Sequence, residues 1–222
     1  MNTDVMRPWL EHYEDFVPHE VTIWDRPLYA MLDDAAERYP QRLAVIFQNT
    51  RITYKALREK AEVFAGALCR AGVKPGERVA VMLPNLPQTV IAFWGVLKAG
   101  AVAVMTNPLY MEKELVQNLS DAGASHMVLL DLLWPRVAAL RERLPIRNFI
   151  VTGIADALSF PLNLLYRLKQ RRNQPAVPHD DGAVHFWKTF CKGAQRHSEP
   201  VASPKDDLVL LQYTGGTTGI SK

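Results

Sequence analysis

The chain has 222 residues, of which 48% are hydrophobic and 22% are charged, and its formal net charge is +3. These values are typical of a soluble globular protein and exclude disorder throughout the chain. The net charge is small for this length and no long basic run is interleaved with aromatic residues, so the sequence argues against a nucleic-acid partner.

Cysteine content and the opening residues predict a cytoplasmic protein. Cys69 and Cys191 are too few for a disulfide framework, and residues 1–8 contain no apolar segment of a secretory signal. Residues 79–97 are uncharged, but Pro84 and Pro87 interrupt them. A membrane-spanning helix tolerates such interruptions poorly, so this stretch predicts a strand, a turn and a helix.

The first elements combine an irregular arm with a helix and a hairpin. Residues 1–27 show no sustained period and predict an amino-terminal arm that wraps the domain, whereas residues 28–39 have the spacing of a short amphipathic helix. Two β-prone runs, 43–47 and 51–54, flank a polar turn and predict a hairpin. Thr53 is placed to cap the next helix, which ends before Gly72.

Strands and helices then alternate up to residue 154. The predicted strands are 78–83, 101–105, 126–130 and 148–151, and the predicted helices between them are 86–98, 111–121 and 132–144. This alternation is typical of βαβ units. Residues 28–154 therefore predict an α/β subdomain with a mostly parallel sheet covered by helices on both faces, with ligands beyond the carboxyl ends of the strands.

Residues 155–206 predict an irregular insertion, rich in proline, histidine and basic residues, with only two helix-like or strand-like runs at 160–171 and 184–190. On a helix, Leu158, Leu162, Leu165 and Leu168 fall near one face, and four basic residues gather toward its carboxyl end: Arg167, Lys169, Arg171 and Arg172. Segment 160–172 fits two interpretations. It could bind peripherally to the inner face of the membrane, or it could pack on its own domain with its basic residues solvated.

Residues 207–222 combine a short apolar strand, 208–213, with a loop rich in glycine, threonine and lysine that runs from Thr214 to Lys222. Glycines let backbone N–H groups approach phosphate oxygens, hydroxyls add donors or a metal ligand, and lysine supplies a positive charge. Only two residues separate Gly219 from Lys222, which is not the spacing of a Walker loop. The composition predicts a polyphosphate-binding loop, against the alternative of a flexible surface loop.

The string Tyr213-Thr-Gly-Gly-Thr-Thr-Gly-Ile-Ser-Lys222 resembles the phosphate-binding signature of the adenylate-forming superfamily, which includes acyl-CoA synthetases, firefly luciferase and peptide-synthetase adenylation domains. Residues 52–68 and 97–110 resemble two upstream motifs of that family in the correct order. The run Asn107-Pro108-Leu109-Tyr110 and the glycine at 215 are most similar to bacterial long-chain fatty acid CoA ligases. Asn107 and Pro108 are interpreted as a turn below the site and not as ligand contacts. Ile220-Ser221 departs from the usual pair ending in proline.

The resemblance implies a two-step reaction, in which a fatty acid and ATP form acyl-AMP and pyrophosphate, and CoA then displaces AMP. ATP, Mg²⁺ and coenzyme A are the implied cofactor and co-substrates. The β- and γ-phosphates are assigned to Thr214, Gly215, Gly216, Thr217, Thr218, Gly219 and Lys222. Lys222 is also the implied catalytic residue, and Thr214 is the implied magnesium ligand.

The family continues well beyond the point where this sequence ends, into the acyl, adenine and CoA pockets. The resemblance therefore implies the amino-terminal part of the adenylate-forming fold, with 207–222 as the start of a truncated second subdomain, and a fragment that is inactive alone. Two alternatives stay open: a non-catalytic ATP-binding or scaffold module, and an adenylation domain for an aryl or amino acid. Chain-length preference and oligomeric state stay open as well.

Four side chains with groups that can bind zinc recur every six residues, namely His179, His185, Cys191 and His197. Their spacing matches no closed zinc motif. We expect these residues to belong to a solvated loop.

Overall fold

A computed structural model describes residues 7–21, 24–171, 175–179, 181–198 and 203–214. The helices are α1 (Ala30–Arg38), α2 (Tyr54–Arg70), α3 (Pro87–Lys98), α4 (Glu112–Ala122), α5 (Trp134–Ala139), α6 (Ile154–Ala157), α7 (Leu162–Gln170) and α8 (Trp187–Cys191). The strands are β1 (Leu43–Phe47), β2 (Thr50–Thr53), β3 (Arg78–Met82), β4 (Val102–Met105), β5 (Ala124–Leu130), β6 (Asn148–Thr152), β7 (Val184–Phe186) and β8 (Leu210–Gln212).

Six strands form one parallel sheet in the order β7-β6-β5-β3-β4-β8, and β1 and β2 form a separate antiparallel hairpin. Side chains of β3 alternate between two hydrophobic clusters: Val79 and Val81 face α2 and α3, whereas Ala80 and Met82 face α4 and α5. Both faces of the sheet are thus covered. The structure confirms the predicted α/β fold with a mostly parallel sheet.

Local signals account for the entry into α2 and for its packing. The Thr53 hydroxyl accepts a hydrogen bond from the Ala56 N–H at 3.3 Å, as an N-cap residue does. A Cβ atom at Gly95 of α3 would lie 2.7 Å from the Phe64 ring and 2.9 Å from the Ala61 carbonyl. The close contact between α2 and α3 therefore requires glycine at this position.

One predicted helix is wrong in detail, and one predicted run divides into two elements. The predicted helix 132–144 is a 3₁₀ turn at Asp131–Leu133, the short α5, and a second 3₁₀ turn at Arg141–Arg143. Pro135 lacks an N–H and fits only the first turn of a helix, which is its position in α5. The run 184–190, predicted to be helix-like or strand-like, is both: β7 ends at Phe186 and α8 begins at Trp187.

Segments outside residues 28–154 contribute to the same sheet. The region predicted to be irregular, 155–206, holds α7, β7 and α8, and β7 pairs with β6. Strand β8 pairs with β4 at the opposite edge. Whether residues 207–222 begin a second subdomain stays a prediction. None of the residues 7–21 of the arm is buried.

A polar network closes the amino-terminal side of β5 and β6. The His126 ring is 1% exposed, its Nε2 atom accepts from the Asn148 amide at 3.1 Å, and the Asn148 oxygen accepts from His185 at 3.3 Å. Burial lowers the pKa of His126; Arg147 and His185 act in the same direction, while Glu77 and the Ala71 backbone oppose them. If Nε2 of His126 were protonated, its N–H would face the amide N–H of Asn148, and two donors would meet without an acceptor.

We expect the free energy of unfolding to fall as the pH drops below the ordinary histidine pKa, near 6.5. Above that pH the ring is neutral in both states, whereas below it the unfolded chain binds a proton that the folded chain resists. Urea midpoints measured at several pH values should show this slope, and His126→Gln should flatten it. An equal slope in both proteins would contradict the prediction.

Among the residues that the structure describes, no helix is both long enough and apolar enough to cross a membrane.

Candidate functional site

Two motifs that lie far apart in the sequence meet at the carboxyl edge of the sheet. Strands β4 and β8 are parallel neighbours, with Val104 opposite Leu211 and Met105 opposite Gln212. The turn 107–110 follows β4, and the phosphate-loop motif follows β8. Because both strands end at the same edge, the turn lies directly beside the start of the loop. This is the edge where parallel α/β sheets bind ligands.

The Tyr213 side chain fixes the start of the loop motif to α4. Its phenol donates a hydrogen bond to the Asp121 carboxylate at 2.5 Å, and its ring packs against the cluster of α4 and α5. Burial, followed by the hydrogen bond to Asp121, raises the pKa of Tyr213 to about 12. The phenol therefore remains a donor at neutral pH.

The backbone of Tyr213 is held by the turn that follows β4. The Tyr110 hydroxyl donates to the Tyr213 carbonyl oxygen at 3.2 Å. The turn itself is formed by the Asn107 side chain, which accepts from the Leu109 N–H at 2.9 Å. Burial raises the pKa of Tyr110, so its hydroxyl stays protonated. Tyr110 thus fixes the backbone one residue before Thr214.

A second contact fixes the turn 107–110 to α5, which lies in the same helical layer as α4. The Arg136 guanidinium of α5 donates to the Pro108 carbonyl at 2.5 Å. An anchored turn of this kind agrees with the interpretation of Asn107 and Pro108 as structural. The sequence analysis missed Tyr110 and Asp121 as contacts of the loop. Tyr110 belongs to the motif at residues 97–110, and that motif could have indicated its role. No pattern in the sequence indicated Asp121.

Of the predicted site residues, only Thr214 falls among those that the structure describes. It is exposed at the carboxyl end of β8, and its side chain carries one hydroxyl oxygen. The other predicted site residues lie outside the described residues, and their assignment stays a prediction: Gly215, Gly216, Thr217, Thr218, Gly219 and Lys222. Mg²⁺ usually takes few protein ligands beside substrate phosphates, so one hydroxyl fits its needs.

A buried polar cluster lies at the same edge, near the ends of β5 and β6. The Gln88 amide donates to the Thr152 hydroxyl at 3.1 Å, and Asp156 accepts from the Gly153 N–H at 3.3 Å. Burial, and then the charge of Asp156, raises the pKa of Asp131. Strand β3 lies between β5 and the β4–β8 pair, so the cluster is separate from the loop motif.

The expectation of a solvated loop is wrong for two of the four side chains with zinc-binding groups, because His185 lies in β7 and Cys191 lies in α8. His179 stacks on Phe186, His185 bonds to Asn148, and burial raises the pKa of Cys191 to about 11, which keeps its thiol protonated. In the part of the chain that the structure describes, no three His, Cys, Asp or Glu side chains are grouped closely enough to hold a metal ion.

Comparison with protein families gives a match to the AMP-binding enzyme model over residues 32–222. A long-chain-fatty-acid–CoA ligase of Bacillus subtilis is 38% identical over 220 residues, covering 97% of this chain and 39% of the ligase. Triostin synthetase I of Streptomyces triostinicus is 32% identical over 217 residues, covering 97% of this chain and 36% of the synthetase. The chain therefore spans well under half the length of these relatives.

Solved structures give the same fold. The anthranilate CoA ligase AuaEII, in complex with anthranoyl-AMP, superposes with a TM-score of 0.73 at 20% identity, covering 91% of this chain and 34% of that one. At this identity the likeness concerns the fold alone.

Proposed function

The chain belongs to the AMP-binding enzyme family, and from that premise we propose that it is the amino-terminal part of a long-chain fatty acid CoA ligase. The observation that carries the proposal is the motif at residues 213–222, which follows an edge strand of the parallel sheet and begins beside the turn 107–110. The 38% identity to the Bacillus subtilis ligase supports the fatty acid as the substrate class. The sequence has two cysteines, too few for a disulfide framework, which suits the cytoplasm that we propose as its location.

In the proposed reaction a fatty acid carboxylate attacks the α-phosphate of ATP, pyrophosphate leaves, and the CoA thiol then displaces AMP. A carboxylate is already ionised at neutral pH, so no residue of this chain has to act as a general base. What the step needs is stabilisation of charge on phosphate oxygens, for which one well-placed donor typically contributes about 2.7–4 kcal/mol.

The loop supplies such donors from three kinds of group. Backbone N–H groups come from Gly215, Gly216 and Gly219, hydroxyls from Thr217 and Thr218, and a positive charge from Lys222. Thr214 would hold Mg²⁺ through its hydroxyl. The bound ion would neutralise part of the charge on the phosphate oxygens.

The test is ATP–pyrophosphate exchange by the full-length protein with a panel of carboxylic acids, followed by detection of the CoA thioester. We expect exchange with long-chain fatty acids and conversion to acyl-CoA. Exchange with amino or aryl acids alone would favour the second candidate, an adenylation domain of the kind suggested by the likeness to triostin synthetase I. Absence of exchange with every acid would favour a non-catalytic ATP-binding module.

We expect residues 1–222 alone to catalyse no exchange. The relatives carry more than half of their length outside the matched region, and in the family the adenine and carboxylate pockets lie there. Fatty acid-dependent exchange by the purified fragment would contradict this prediction.

We expect Tyr110→Phe to raise the KM for ATP without changing the KM for the fatty acid. The change removes the hydrogen bond to the Tyr213 carbonyl and leaves the ring in place. Loss of one such bond costs about 0.5–1.5 kcal/mol, so kcat/KM for ATP should fall about 2- to 10-fold. Tyr110 would then be a positioning residue for the loop.

The matched control is Tyr39→Phe, on an exposed tyrosine after α1. It removes the same hydroxyl far from the β8 edge and should leave both KM values unchanged. Equal changes of the KM for ATP and for the fatty acid in Tyr110→Phe would argue against a role at the phosphate loop.

A further inference from the structure

Helix α7 has an inverted arrangement of apolar and polar residues. None of its residues is buried, and its outward leucines Leu164, Leu165 and Leu168 are 51%, 55% and 61% exposed. The residues with intermediate exposure, on the side toward the domain, are the polar Asn163, Tyr166 and Gln170. A helix that packs on its own domain shows the opposite arrangement.

Polar contacts hold the helix in this orientation. Arg167 pairs with Asp156 at 3.0 Å. The segment that precedes the helix is fixed to the β1–β2 hairpin, since the Ser159 N–H donates to the Asn49 side chain at 3.2 Å and the Ser159 carbonyl accepts from it at 3.0 Å. The outward position of the leucines is therefore set by contacts on the other side of the helix.

Basic residues border the leucine stripe on both sides. At about 100° per residue, the three leucines span an arc of about 100°, with Arg171 just outside one end of the arc and Lys169 just outside the other. Both are exposed, and no carboxylate in the described part of the chain pairs with either of them. Phe160, two residues before the helix, is a further exposed apolar side chain, at 77%.

The structure corrects two members of the predicted apolar face. Leu158 has an extended backbone conformation and lies before the helix, so it is not part of the face. Leu162 lies about 60° around the helix from Leu165 and is only 38% exposed. The outward face consists of Leu164, Leu165 and Leu168. Arg172, the fourth basic residue of the predicted segment, lies outside the described residues.

Helix α7 lies near the β7 edge of the sheet. Helix α7 packs beside α6, which follows β6, and β6 is the neighbour of the edge strand β7. Strand β8 lies at the opposite edge of the sheet, five strands away from β7.

We propose that the outward face of α7 is a docking surface for an anionic lipid membrane, with Leu164, Leu165 and Leu168 inserted among the acyl chains and Lys169 and Arg171 at the headgroups. A stripe of leucines with basic borders is complementary to a surface that is apolar inside and negative outside. The fold holds the nine-residue helix in place, so no helix formation has to accompany binding. This proposal does not depend on the proposed ligase activity.

Cosedimentation of the full-length protein with vesicles tests the proposal. We expect binding to vesicles of equal parts phosphatidylglycerol and phosphatidylcholine at low salt, and weaker binding at high salt or to phosphatidylcholine alone. Each basic residue near an anionic surface contributes about 1 kcal/mol, so Lys169→Gln combined with Arg171→Gln should lower the partition coefficient about 30-fold. Leu164→Ser, Leu165→Ser and Leu168→Ser together should lower it at least about 10-fold.

Matched controls remove the same groups elsewhere on the surface. Arg38→Gln with Lys113→Gln removes two exposed charges, and Ile46→Ser with Leu132→Ser removes two exposed apolar side chains. We expect normal vesicle binding from both. All changed residues of α7 are exposed, so the melting temperatures of its variants should stay unchanged.

Several results would overturn the proposal. One is equal binding by the α7 variants and the controls. A second is equal binding to neutral and anionic vesicles, and a third is no binding at all, as expected if the rest of the protein covers α7. A fourth is a change in sedimentation coefficient caused by the leucine changes without lipid, which would indicate that a second copy of the chain occupies the face. Acyl-CoA formation measured in detergent-free solution without vesicles reports on the proposed function separately.

Discussion

Lys222→Ala in the full-length protein should lower kcat/KM for ATP by about 100- to 1,000-fold. The lysine is the last residue of the phosphate-loop motif, and its ammonium is the one full positive charge that the motif provides. Removing a donor that stabilises charge developing in the transition state costs about 2.7–4 kcal/mol. The melting temperature should stay unchanged, because the lysine is assigned to a ligand and not to the core.

The measurement is pyrophosphate exchange at varied ATP and at varied fatty acid. Lys205→Ala is the matched control, since Lys205 is an exposed lysine before β8 whose ammonium lies 4.0 Å from Asp25. We expect the control to retain the original kcat/KM for ATP. A loss below about 3-fold in Lys222→Ala, less than about 1 kcal/mol, would remove Lys222 from the proposed site.

Lys98→Ala should lower the free energy of unfolding by about 3 kcal/mol or more. The Lys98 side chain is 1% exposed, and its ammonium lies 2.6 and 2.9 Å from the two Asp33 oxygens, 3.7 Å from Glu62 and 5.0 Å from the centre of the Tyr29 ring. The change to alanine would leave the carboxylates of Asp33 and Glu62 without their shared cation. It would also create a cavity where the methylene groups of the lysine side chain pack. Both acids keep some contact with water, so we expect the lower end of the about 3–5 kcal/mol that a broken buried pair typically costs.

Two further variants separate charge from packing. Lys98→Met keeps most of the side-chain volume and should recover part of the loss. Lys188→Ala breaks an ion pair of similar length, 3.1 Å to Asp156, but on a side chain that is 62% exposed. This control should cost less than about 1 kcal/mol. Equal urea midpoints for Lys98→Ala and Lys188→Ala would contradict the assignment of Lys98 to a buried ion pair.

The contrast between Lys98 and Lys188 illustrates what a sequence leaves undecided. Both residues are lysines in helices, and nothing in their neighbours along the chain distinguishes them. Lys98 is buried because α1 brings Asp33 and α2 brings Glu62 to the end of α3. Burial of this charge is a property of three packed helices.

Local sequence patterns predicted an element correctly where a residue favours one local structure for one physical reason. Thr53 caps α2 because its hydroxyl reaches a backbone N–H three residues ahead. Alternating strands and helices between residues 78 and 152 predicted the parallel sheet, because each apolar run needs cover on both faces. Local patterns left the element type open where a short apolar run had two possible periods, as in residues 184–190, which divide into β7 and α8.

The sequence by itself determined the α/β class, the alternation of the central elements and the composition of the phosphate-loop motif. Those features follow from periodicity and residue chemistry over a few neighbouring positions. Only the tertiary structure decided that Tyr110 and Asp121 hold Tyr213, and that the leucines of α7 face outward while its polar residues face the domain. Strand order and the packing of helices on the sheet set these relations between distant residues, and no local pattern along the chain encodes them.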